Sequence, residues 1–254
     1  MLQAETVEAG TLDLIKRLSE DQQLSEFYLV GGTALSLQVG HRKSIDIDLF
    51  NEKPFDSDKI ADHLRLVHGA QDIETFKNGI FCFIGPVKVD LIAHQYAWLN
   101  PPSIEENIRL ASLDDIAAMK LNAIVRNGTR LKDFIDIYVL LEHRTLNQMT
   151  AAFEQKYQTM NEAVAKNALL YHNDIKVLDE VNWVDRSPRY WYHISDRLED
   201  AVYNPGKVYS STLDWRSSDE DKATDVFDEY MERYYKRVKD NHGITKEYGY
   251  GYEW

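Results

Sequence analysis

One cysteine in 254 residues, Cys82, rules out an internal disulfide, and nothing in the chain asks for an oxidising compartment. No apolar run approaches the roughly 20 residues needed to span a bilayer, and a mean hydropathy of −0.47 reads as soluble. The start, Met1-Leu2-Gln3-Ala4-Glu5, lacks the basic residues and apolar stretch of a secretory signal. A cytoplasmic protein with no membrane partner is therefore expected. No internal repeat is visible. Positive charge is scarce as well: 29 Lys and Arg stand against 42 Asp and Glu, a net charge of −13. That excludes broad electrostatic attachment to nucleic acid, which needs clustered cations. It leaves room for a nucleotide or RNA held in a local basic pocket. Between Glu199 and Glu229 nine acidic residues face three basic ones, the pattern of a solvated surface.

What the chain has is enough apolar residue, 44%, for a sizeable core. Apolar positions at Leu12, Ile15 and Leu18 predict a helix over residues 5–20. Phe27-Tyr28-Leu29-Val30 reads as a short strand stopped by two glycines, and Thr33 to Val39 as a short helix ended by Gly40. Ile45 to Phe50 alternates apolar and acidic residues, a strand pattern. Asp58 to His68 looks helical, and Ile80–Ile84 and Val87–Ile92 read as strands turning at Gly85-Pro86. After Pro101-Pro102 the pattern is helical. Ser112 caps a helix running towards Asn127-Gly128, with Asp115 in capping-box position. Leu131 to His143 forms a second helix, helical patterns follow over Ala151–Ala168, and a last helix is expected over Asp221–Asp240. The expected organisation is an α/β core over residues 1–102 and a mainly helical domain over residues 103–254.

Asp46 and Asp48 stand at i and i+2 on a predicted strand, so both face the same way. Ile45, Ile47 and Leu49 are expected to point into the core behind them. Two carboxylates this close oppose each other's ionisation, and a divalent cation with oxygen ligands relieves that cost. Asp90, at the end of Val87-Lys88-Val89-Asp90, is the candidate third acid of a two-metal arrangement. Gly31-Gly32 lets the backbone approach a phosphate closely, and Thr33 opens a helix whose free N–H groups favour anions. Gly-Gly-Thr alone is a weak signal, and so is Asp-x-Asp. Their order and spacing are far more specific.

The strings Leu29-Val30-Gly31-Gly32-Thr33-Ala34-Leu35 and Gly40-His41-Arg42-Lys43-Ser44-Ile45-Asp46-Ile47-Asp48-Leu49-Phe50 resemble the AbiEii/AbiGii toxin family, nucleotidyltransferases of abortive-infection and toxin–antitoxin systems. The likeness continues in Ser112-Leu113-Asp114-Asp115-Ile116-Ala117-Ala118-Met119-Lys120 and in Arg130-Leu131-Lys132-Asp133-Phe134-Ile135-Asp136, covering residues 25–143. The resemblance implies a polymerase-β-like nucleotidyltransferase core with a mixed sheet, followed by a helical C-terminal domain. It makes Asp46, Asp48 and Asp90 the metal ligands, for Mg²⁺ or Mn²⁺, and Gly31, Gly32 and Thr33 the phosphate-binding turn. Lys120 matches a lysine that reaches the nucleotide phosphates. Lys132, Asp133 and Asp136 match a motif near the nucleotide and the catalytic centre, with Asp133 among the catalytic residues.

The implied reaction moves a nucleoside monophosphate from an NTP to an acceptor hydroxyl, with RNA or tRNA as acceptor and an antitoxin as partner. A protein or small-molecule acceptor, or a non-catalytic nucleotide-binding module, remains open on the residues alone. His41, Arg42 and Lys43 fit either a phosphate channel or an exposed loop, and Ser44 either a cap or a partner of the carboxylates. Lys132 and Asp136, at i and i+4, also fit a plain helix ion pair, and Lys120 a snorkelling lysine.

Overall fold

Alternation decides the sheet. In the strand Ile47–Asn51 the residues Ile47, Leu49 and Asn51 are buried while Asp48 and Phe50 face outward. Val87–Ala93 repeats the device, with Val87, Val89 and Leu91 inside and Lys88 and Asp90 on the other face. The computed structural model describes residues 1–172, 175, 181 and 191–210. Met1–Thr212 cluster as one unit.

Among the described residues seven strands make one mixed sheet. They are β1 (Tyr28–Leu29), β2 (Ile47–Asn51), β3 (Ala70–Phe76), β4 (Gly79–Ile84), β5 (Val87–Ala93), β6 (Ser103–Glu105) and β7 (Ile108–Leu110), in the order β3-β4-β5-β2-β1-β7-β6. β2 runs parallel to β5 and antiparallel to β1, and β1 runs parallel to β7. The sheet thus continues beyond Pro101-Pro102, because β7 docks on β1. β3 was not visible as a strand in the sequence: it lies at the sheet edge and only Ala70 of its seven residues is buried.

The helices are α1 (Ala9–Glu20), α2 (Gly31–Val39), α3 (Ser57–His68), α4 (Leu113–Arg126), α5 (Leu131–Leu140), α6 (Leu146–Lys156), α7 (Glu162–Leu170) and α8 (Trp191–Tyr203). α2 begins at Gly31, two residues earlier than expected, and ends on Gly40 at φ +74°, a left-handed cap that glycine adopts without strain. α4 starts where its cap predicts, Ser112 accepting from the Asp115 backbone N–H at 3.1 Å. α5 buries nine of its ten residues, acids included, so it runs through the interior rather than along the surface. The expected helix over Asp221–Asp240 lies outside the described residues.

Candidate active site

Strand register brings the carboxylates together. β2 and β5 lie side by side in parallel with Asp48 opposite Asp90. Asp46 immediately precedes β2, and all three acids line one cleft of about 420 Å³. Ile47, Leu49, Val89 and Leu91 anchor the opposite face in the core. Ile45 does not join them. It lies ahead of the strand, where alternation no longer governs, and is 57% exposed at the cleft margin.

Burial raises the Asp48 carboxyl to about 6; the Lys120 ammonium pulls it back, while the Asp90 and Asp46 charges push it further up. Asp90 Oδ2 takes a 2.5 Å ion pair from Lys88, two residues back on the same face. Its other oxygen, Oδ1, is buried with no hydrogen-bond partner among the described residues. Three hard oxygen donors, one of them with a buried atom lacking a partner, fit a divalent cation such as Mg²⁺.

The two glycines are required by close approach. A Cβ at Gly31, where φ is +68°, would collide with Asp48 Oδ2, and one at Gly32 would collide with the Arg42 guanidinium. Without those side chains, the start of α2 sits directly against the carboxylates. Its N-cap, Val30, makes no side-chain cap hydrogen bond, so the first turn keeps orphan N–H donors facing the cleft end. Thr33, third in the helix, does not line the cleft. Its hydroxyl bonds Ser44 Oγ at 2.8 Å and the Asp46 carbonyl, fixing the segment that delivers Asp46. Ser44 is accordingly a partner of Thr33 rather than of the carboxylates.

The wall opposite the sheet is a buried ionic network. Arg42 grips Asp136 with two hydrogen bonds, Nε to Oδ1 at 2.8 Å and Nη2 to Oδ2 at 3.1 Å. His41 Nε2 lies 2.8 Å from Asp136 Oδ1. Lys120 bridges Asp133 and Asp136, at 2.7 Å each. Burial works against an ionised Asp136, yet Arg42, Lys120 and His41 together hold it well below the usual carboxylate range. Burial lowers His41, so Nε2–H of a neutral ring donates to the ionised Asp136.

Asp136 therefore sits behind the cleft, organising Arg42 and Lys120, and it does not pair with Lys132. Lys120 is no snorkelling side chain, since its ammonium is buried between two carboxylates. Lys43 and Lys132 line the cleft without an ion-pair partner among the described residues, and Arg130 stands 3.9 Å from Asp133 at the rim.

Several lining residues escaped the sequence reading. Lys88 was legible as the i−2 neighbour of Asp90. His94, Asn122 and Tyr157 were not, because they come from three unrelated segments. His94 stacks on Phe50 with ring centroids 5.2 Å apart and lies 2.9 Å from the Tyr157 hydroxyl. Away from the cleft, Asp21 Oδ2 meets His63 Nε2 at 2.6 Å and His68 Nε2 at 2.7 Å. Among the described residues this is a group with metal-ligand spacing. Hydrogen bonds already satisfy the atoms that meet there.

The mixed sheet brings register-matched acids to one cleft, and the family that the sequence matches makes the chain a nucleotidyltransferase. The family model described as nucleotidyl transferase AbiEii toxin, type IV TA system, matches residues 13–204, and the chain belongs to that family. An uncharacterized Aquifex aeolicus protein, aq_aa25, is 30% identical over 184 residues, covering 70% of this chain and 87% of that one. Among solved structures, JHP933 from Helicobacter pylori is 14% identical with a TM-score of 0.45, covering 79% of this chain and 93% of its own. The Megavirus polyadenylate synthase is 16% identical with a TM-score of 0.38, covering 51% of this chain and 30% of its own. Among the described residues no helix is long and apolar enough to cross a membrane.

Proposed function

We propose that the chain transfers a nucleoside monophosphate from an NTP to the terminal hydroxyl of an RNA, tRNA included, as the toxin of a cytoplasmic toxin–antitoxin pair. One observation carries the reading: Asp48 and Asp90 face each other on parallel strands at the uncapped start of a glycine-opened helix. The helix end and the unpaired Lys43 and Lys132 suit the β- and γ-phosphates. Lys120, held by Asp133 and Asp136, and Arg42, held by Asp136, fix positive charge beside the transferring group before substrate arrives.

The acceptor oxygen attacks the α-phosphorus in line. The new P–O bond forms as the bond from the α-phosphorus to the bridging oxygen breaks, pyrophosphate leaves, and the hydroxyl proton goes to water. Asp46, Asp48 and Asp90 would hold Mg²⁺ or Mn²⁺, which supplies charge neutralisation for attacking and leaving oxygens. The functional division falls near Pro101-Pro102, with carboxylates before it and Lys120, Lys132 and Asp133 after it. An antitoxin encoded with the chain is the implied partner.

The test is transfer of label from an α-labelled NTP to total RNA and, separately, to total protein. Transfer to RNA that is lost on adding EDTA and in Asp48→Asn is the expected outcome. Unchanged transfer by Asp48→Asn would end the metal-site assignment, and label on protein alone would end the RNA assignment.

A further inference from the structure

The cleft has two chemically distinct ends, and register says which is which. β1 runs antiparallel to β2 with Tyr28 opposite Phe50 and Leu29 opposite Leu49. The chain leaving β1 therefore reaches Gly31 and α2 at the Asp46–Asp48 end. Phe50 lies two residues beyond Asp48 in the other direction, and His94 four residues beyond Asp90. Two residues along a strand advance about 7 Å, so one pleat past the carboxylates the wall changes from charged to aromatic. Phe50, His94, Met119 and Tyr157 line that end.

A hydrogen bond holds the imidazole there. The Tyr157 hydroxyl lies 2.9 Å from His94 Nε2 and has its single proton to give to it. The imidazole proton then sits on Nδ1. That atom has no partner among the described residues, and it is not among the enclosed unpartnered atoms, so it is open to a ligand. Burial, with Lys156 and Arg126 nearby, lowers His94 to about 4 and keeps the ring neutral.

Tyr157 is held in place from behind. Lys156, next to Tyr157, forms a fully buried 2.9 Å ion pair with Asp115 and donates to the Ala97 carbonyl at 3.0 Å. Asp115 in turn accepts from the backbone N–H of Leu99 at 3.0 Å. The segment after β5 and the end of α6 are thereby pinned to each other.

We propose that this end is a nucleobase subsite, in which His94 Nδ1–H donates to an acceptor atom on the base edge and the Phe50 side of the cleft supplies the apolar surface. The proposal rests on the nucleotidyl-transfer reading. A neutral donor beside aromatic rings suits a base and does not suit a phosphate, which the charged end serves. His94 is the contacting residue, and Tyr157 is a positioning residue. The base belongs to the incoming NTP or to the acceptor's terminal nucleotide.

The test uses the full chain with Mg²⁺ and measures binding of each of the four NTPs and of inorganic tripolyphosphate, together with KM for a short oligoribonucleotide acceptor. His94→Phe keeps a ring and removes the donor. Tyr157→Phe removes one hydroxyl and frees the tautomer, and His94→Asn restores a side-chain N–H donor. If the base is that of the NTP, His94→Phe and Tyr157→Phe weaken NTP binding about tenfold, a lost hydrogen bond, and leave tripolyphosphate unchanged, while His94→Asn recovers part of the loss. If it is that of the acceptor, NTP binding stays constant and the acceptor KM rises by a similar factor.

No change in either arm, with both variants folded, overturns the subsite and leaves the transfer reading standing. Equal weakening of tripolyphosphate and NTP also overturns it, because that pattern reports a collapsed cleft rather than a lost base contact. Failure of the unaltered protein to bind any of these anions sinks the transfer reading itself, and the subsite with it.

Discussion

At the scale of single residues, Asp48 and Asp136 illustrate opposite uses of a buried carboxylate. Asp48 faces two other acids and titrates near 6, above the ordinary value of 3.8. A folded value above the unfolded one means that folding opposes ionisation. The cost is absent below about pH 4 and complete above about pH 6, so in metal-free buffer this group lowers stability as pH rises through that window. Asp48→Asn should remove that slope from thermal melts. In carboxyl NMR, Asp90→Asn should lower the Asp48 midpoint and Lys120→Met should raise it. A midpoint near 4 in the unaltered, metal-free protein would contradict the geometry.

Asp136 is the reverse case, an acid held ionised by Arg42, Lys120 and His41. Asp136→Asn leaves a buried guanidinium without its carboxylate, and a loss of roughly 3–5 kcal/mol in urea unfolding is expected for a broken buried pair. A change below 1 kcal/mol would show that the network is looser than its 2.7–2.8 Å spacings imply.

At the scale of elements, a fully buried pair, Lys156 with Asp115, ties the segment between β5 and β6 to α4 and α6. Lys156→Ala should cost about 3–5 kcal/mol by stranding Asp115, whereas Asp115→Leu with Lys156→Met should recover much of it, since buried pairs often break even against apolar residues. Chemical unfolding of Lys156→Met, Asp115→Leu and the double variant gives the coupling directly, and additive losses would count against the pairing.

The start of α4 shows what could be read in advance. Ser112 was visible as a cap from its type and place. Asp115 was visible as a helix-start acid, but its carboxylate goes to Lys156, Leu99 and Ser112 rather than back to the cap backbone. Period-two alternation exposed β2, and apolar stretches turning at Gly85-Pro86 exposed β4 and β5. Neither signal exposed β3 and β6, whose residues are mostly solvated, or the three-residue β7, too short to show a period, whereas β1 was read from its β-prone run. The residues on these well-patterned strands, and the glycines beside them, were the legible part of the site. Thr33 and Asp136 were recognised by type, but their inward-facing partners are separated from them by up to 95 positions and became visible only in three dimensions. His94 and Tyr157 were missed for the same reason.

At the scale of the whole molecule, the net charge of −13 and the local cations of the cleft set how an RNA can be held. Lys120 and Arg42 are neutralised by Asp133 and Asp136, so they contribute fixed dipoles more than free charge. Lys43, Lys132 and rim-exposed Arg130 are the cleft cations left to meet phosphates. For a single strand the slope of log K against log salt is about −0.7 per neutralised phosphate, so three contacts give a slope of about −2. An acceptor oligonucleotide titrated between about 50 and 200 mM salt should show that shallow dependence. Replacing Lys43 and Lys132 by Met should flatten it towards −0.7 while the 25 °C fold signal stays intact. A slope steeper than about −5 would demand many more phosphate contacts than these cations provide, and would move the RNA-binding surface out of the cleft altogether.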